Sequence, residues 1–261
     1  MKRMIVGAFV LGMGACAQAP GGDLPVTLGG GWMFDPPGSL DAGKVTCPPV
    51  GWDRDGLIAA KTASFEIADD AKRQAFAKAI TACLASPDPD LRDGVAYEAL
   101  AHMLRAKQLS DETKRALLAD LVARLNAPAG AGFEQPFAAL ALSEVARADR
   151  IEAFLSEDEL IKLLVDAQHW FINVSDYRGF DEREGWRHGV AHGADLLMQL
   201  ALNPRIDAEG LRLIVSAVGA QVAPKGHAYV FGESERLARP VLFAAARGAM
   251  DEAKWAEWLM V

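Results

Sequence analysis

His188 and His192 stand one helical turn apart, and Asp195 follows three residues later, in the stretch YRGFDEREGWRHGVAHGAD that also carries Arg178 and Trp186. On a helix running from Gly185 to Asn203, steps of 100° bring these three and Gln199 within about 60° of one another, a single polar stripe on an otherwise apolar cylinder. Three chemistries fit the pattern. Two imidazoles and a carboxylate at this spacing can ligate one metal ion, with zinc the default for such donors, and an open coordination position would activate water for hydrolysis with Glu184, Glu233 or Glu235 as general base. The same groups can instead form a buried network in which Arg178 or Arg236 pairs with Asp93 or Asp195. In the third reading the stripe floors a groove, where Arg178 forks an anion while Trp186, Tyr177 or Tyr97 stacks on an apolar or sugar ring.

The elements that must hold these groups read as helix after helix, without a run of alternating apolar and polar residues long enough for a sheet. Asp69 or Asp70 caps a helix carrying Phe76, Ile80, Cys83 and Leu84, and Ser86-Pro87-Asp88-Pro89 ends it. A second helix starts near Leu91, Asp111 caps a third bearing Leu117, Leu121 and Leu125, and Pro136 suits the first turn of a fourth. Ser156 to Glu159 is a capping box, and Asp207 opens a further helix after Asn203-Pro204. Gly185, Gly189 and Gly193 recur every four residues and predict close packing against another helix. The class is all-α. Helices joined by short loops predict stacked antiparallel pairs, either a HEAT-like α-solenoid or an irregular α/α array, although no clean repeat period is visible.

Lys2 and Arg3 precede the apolar run Met4 to Gly14, which is too short for a mature bilayer span and reads as an export signal within residues 1–19. Two processing routes compete: acylation at Cys16 in a loose lipobox, or cleavage after Ala19. The first predicts a bacterial lipoprotein of the cell envelope, in the periplasm and tethered to the outer membrane, touching membrane only through its lipid. Residues 20–54 form a Gly/Pro-rich tether, and 55–261 one helical domain. Without the signal the formal charge is about −10 and no basic patch is interleaved with aromatics, so nucleic acid is not an expected partner. Cys47 and Cys83 then remain, either as a disulfide in an oxidising compartment or as free thiols.

The segments Asp90-Leu91-Arg92-Asp93-Gly94-Val95-Ala96-Tyr97, Arg178-Gly179, Gly185-Trp186-x-His188-x-x-Ala191-His192-x-x-Asp195 and Glu233-x-Glu235-Arg236-Leu237-Ala238 resemble, in order, the bacterial domain-of-unknown-function family 2785 from about Phe65 to Ala246. The resemblance implies a helical-repeat fold with a shared site and names no activity. The combined expectation is an inner polar site of Asp93, Tyr97, Arg178, Trp186, His188, His192, Asp195, Glu235 and Arg236. It would bind an envelope protein, a peptide or a small ligand; the rival expectation is a metal-dependent hydrolase using His188, His192 and Asp195.

Overall fold

Short polar residues start many of the helices of this chain, as the computed structural model, which describes residues 46–260, shows. Asp53 caps α1 (Arg54–Thr62), Asp69 caps α2 (Asp70–Ile80), and Asp88 opens α3 (Pro89–Leu91), each accepting a backbone N–H in the first turn. A π-helical turn, Arg92–Tyr97, carries α3 into α4 (Glu98–Arg105). Ser110 rather than Asp111 caps α5 (Asp111–Leu125), because its hydroxyl sits one residue earlier and reaches the Thr113 N–H. Beyond α6 (Glu134–Ile151), Ser156 and Glu159 form the reciprocal capping box of α7 (Glu157–Ile172). The chain finishes with α8 (Gly189–Leu202), α9 (Ala208–Gln221, capped by Asp207), α10 (Glu233–Ala246) and α11 (Glu252–Trp258). The strands are two-residue segments, β1 (Phe180–Asp181) and β2 (Gly185–Trp186), paired antiparallel in the α7–α8 connection.

Packing sorts the helices into two rows. α4, α6, α8 and α10 follow one another along an inner row, while α7 and α9 lie side by side in an outer row with α5 and α2, and each outer helix also packs on its inner partner. This is an all-α stack of helical pairs. The outer helices begin at Asp70, Asp111, Glu157 and Ala208, so the interval lengthens with every pair and no fixed period is left in the sequence. Leu100, Met103, Leu121, Leu142, Leu196, Leu200 and Ile214 are buried between the rows. Each such side chain contributes about 1.5–3 kcal/mol of burial. Gly193 lets α8 approach α7 closely: a Cβ there would fall 2.3 Å from the Phe171 ring, so any side chain would push the helices apart.

Cys47 is bonded to Cys83, with the two Cα atoms 4.9 Å apart. Residues 46–53, read from sequence as the end of the tether, are therefore stapled to the turn Thr81–Ala85 that follows α2. Cys16, the signal segment and the remainder of the tether lie outside the described residues. Among the described residues no helix is long and apolar enough to cross a membrane.

Candidate functional site

α8 begins at Gly189, four residues later than its periodicity predicts. Gly185 has φ +72° and His188 has φ +56°, and neither conformation can continue an α-helix. Gly185 is required twice over, since a Cβ there would also lie 2.9 Å from both the Arg92 guanidinium and the Pro89 ring. His188 thus caps α8, its carbonyl accepting the His192 N–H at 3.0 Å.

His188, His192 and Asp195 are all buried on the inner row. The His188 ring stacks on Trp186 at 4.6 Å between centroids and meets the His192 ring edge-on at 5.6 Å. His192 in turn stands edge-on to Phe137 at 5.0 Å. Trp186 is flanked by Phe180 at 5.0 Å and Phe231 at 5.7 Å, both of which are substantially exposed. His188 Nε2 and His192 Nδ1 are buried and find no hydrogen-bond partner among the described residues. Asp195 is held by Arg236 of α10, while Gln199 accepts from Arg150 Nε at 3.3 Å.

Burial shifts the titration of these groups. It depresses the His188 pKa, and Arg236 depresses it further against the opposing pull of Glu233, whose Oε1 stands 3.5 Å from His188 Nε2. Full burial, with His188 and Arg236 adding to it, pushes His192 down to about 3, so its imidazole is neutral at physiological pH. Burial raises Asp195 and Asp93 despite their arginine partners. Tyr97, partly buried and facing Glu144, is pushed up to about 12.

The sequence-derived set is only partly gathered here. Tyr97 donates to Glu144 Oε1 at 3.4 Å, and Arg105 clamps the same carboxylate, with its Nε 2.9 Å from Oε2. Asp93 pairs with neither Arg178 nor Arg236: its neighbour Arg92 donates to it through Nε at 2.7 Å. Arg178 leaves the site altogether. It is exposed, binds Asp176 through Nε at 2.8 Å, and points its Nη2 toward the Ala131 carbonyl ahead of α6. Glu235 also faces away, paired with Arg239 one turn on at 2.6 Å, whereas Glu233 is buried and accepts the Phe231 N–H at 2.8 Å. Glu184 is bound to Arg187 at 2.9 Å. Among the described residues no three His, Cys, Asp or Glu side chains are grouped to hold a metal ion, so the proposed ligand trio of His188, His192 and Asp195 does not converge.

Sequence reasoning passed over Arg92, a buried charge at the start of the π-helical turn. It is fully buried, donates to Asp93, to the Ser86 carbonyl at 2.9 Å and to the Glu184 carbonyl at 2.7 Å, and lies 4.2 Å over the Phe133 ring. Glu144 was missed as well; its one signal is a lone carboxylate inside the apolar run of α6.

A family model described as "Protein of unknown function (DUF2785)" matches residues 121–260. That region takes in the aromatic hairpin, both histidines, Asp195 and Arg236, and leaves the segment from Asp90 to Tyr97 outside. No curated protein and no solved structure matches the chain.

Proposed function

The chain belongs to the DUF2785 family, and from the inner-row geometry we propose that it is a binding module whose ligand engages His188, His192 and the Trp186 aromatic cluster. The observation that carries this reading is the pair of buried imidazole nitrogens without a hydrogen-bond partner among the described residues, set beside partly exposed Phe180 and Phe231. Buried polar atoms in native proteins are hydrogen-bonded with few exceptions, so two orphans side by side point to a missing partner. A peptide or small molecule with an apolar ring and one or two polar groups matches that surface.

The setting we propose is the bacterial envelope, with Cys16 acylated and the domain held in the periplasm at the outer membrane. The Cys47–Cys83 bond supports an oxidising compartment. Replacing Cys16 by Ala moves the protein from the membrane to the soluble fraction on this reading; unchanged fractionation rejects lipidation.

The binding test passes envelope extract over immobilised full-length protein, wild type beside a Trp186→Ala/Phe231→Ala variant whose fold is verified by circular dichroism. A species retained by the wild type and lost from the variant supports the proposal, and identical retention overturns it. Elemental analysis run in parallel addresses hydrolysis. A stoichiometric transition metal lost in His188→Ala/His192→Ala would replace the binding module with a metalloenzyme.

A further inference from the structure

A second concavity lies away from the histidines, where the end of α4, the α4–α5 turn and the first turn of α5 meet the last turns of α6. It encloses about 260 Å³. Its walls are apolar at Leu104, Leu109, Ala148 and Ile151, and four cations, Arg105, Lys107, Lys114 and Arg147, line it together with two carboxylates, Asp111 and Glu152. In a chain of net charge −8 such a concentration is unusual.

Three of these cations have partners. Arg105 is engaged by Glu144, Lys107 by Glu152 at 2.8 Å, and Lys114 by Asp111 at 2.7 Å. Arg147 is half-buried, and among the described residues no carboxylate lies within pairing distance of it. Lys107 adds a second irregularity, since it occupies the left-handed position after α4, φ +55°, that glycine normally fills. Its side chain lines the cavity, with the ammonium on Glu152.

An unpaired, partly desolvated guanidinium beside apolar walls fits one chemistry best. Arginine presents a planar fork that matches a carboxylate through two parallel hydrogen bonds, and a carboxylate supplies the single negative charge that the cavity lacks. The volume falls just below the range of drug-sized pockets, which limits the occupant to a fragment-sized body. We propose that this cavity binds a small organic carboxylate, its charge on Arg147 and its apolar body against Leu104, Leu109 and Ile151. A free acid and the C-terminus of a peptide share that chemistry.

Calorimetric titration of the full-length protein with phenylacetate and with N-acetyl-Ala-Phe distinguishes the two sources, and phenylacetamide serves as the uncharged control. Saturable binding of either acid, weakened about tenfold in Arg147→Met and less in Arg147→Lys, is the expected result, as befits loss of one charge-assisted contact. Arg147→Met leaves no protein group unpaired, so its melting temperature is expected to match the wild type. Lys107→Gly relieves the positive φ, and is expected to keep or raise the melting temperature while weakening the acid. The acid that binds more tightly identifies the source. Absence of saturable binding up to about 10 mM of both acids, equal affinity for the amide, or equal affinity in Arg147→Met overturns the proposal.

Discussion

Two buried polar groups, Arg92 and the pair His188 and His192, are treated by the protein in opposite ways. Around Arg92 every visible demand is met: a carboxylate, two carbonyls and an aromatic face surround a fully buried cation. Around His188 and His192, burial is nearly as deep, yet among the described residues one nitrogen on each ring makes no hydrogen bond. A saturated buried charge fixes a structure, because removing any member leaves another unpaired. An unsaturated neutral pair leaves recognition capacity, at some cost to the stability of the fold. Arg92 is thus the girder that holds Gly185 and the hairpin in place, and the histidines are the surface that this girder positions.

The contrast breaks first at Arg92. Arg92→Met strands Asp93 and two carbonyls, and we expect a loss of about 3–5 kcal/mol in urea unfolding, with the aromatic hairpin loosened. A loss below about 1 kcal/mol would mean that the network is decorative. Reduction of the Cys47–Cys83 bond releases the segment leading to Ser86, the carbonyl acceptor of Arg92. In the chain-entropy picture it costs about 3–4 kcal/mol. Hydrogen exchange should then rise around residues 83–97 before it rises at α8; the reverse order would uncouple the two regions.

Acid sharpens the comparison. His192 refuses a proton until about pH 3, whereas the unfolded chain accepts one near pH 6.5, so its contribution is complete above pH 6.5 and is lost as the pH falls toward 3. His188, depressed in the same direction, adds to the loss. Stability should decline by up to about 1.4 kcal/mol per pH unit per histidine in this window, and the decline should shrink in His192→Gln. An unchanged slope in that variant would show that His192 is protonated when folded. The smallest effect is expected from His192→Leu, which removes an unsatisfied atom beside Phe137 and should change stability by less than about 1 kcal/mol in either direction. A loss several times larger would reveal a partner for Nδ1 inside the protein.

Local chemistry was legible in the sequence and distant pairing was not. Ser156 and Glu159 lie within a single turn, so their capping box follows from residue types alone, and His192 and Asp195 share a face of α8 as their spacing requires. The start of α8 differs from its periodicity because four-residue spacing from Gly185 to His192 imitates a helix, while positive φ at Gly185 and His188 interrupts it and Gly185 packs against Arg92, more than ninety residues earlier. Partner choice among arginines was equally hidden. Arg178 and Arg236 are alike as charges, and only the fold sets one beside Asp176 and the other beside Asp195. The disulfide was one of two open readings, decided by a turn that brings Cys83 to within 4.9 Å of the Cys47 Cα.

That bond also determines how the molecule carries a pull. Tension arriving along the chain ahead of Cys47 passes through sulfur directly to Cys83, 36 positions along the chain, bypassing the intervening loop. α1 and α2 lie inside the loop and bear none of that load, which enters the turn Thr81–Ala85 at Cys83. From there the force enters the inner row through Ser86 and Arg92, so a tug at the N-terminus is felt at the base of the aromatic hairpin while the first two helices remain slack.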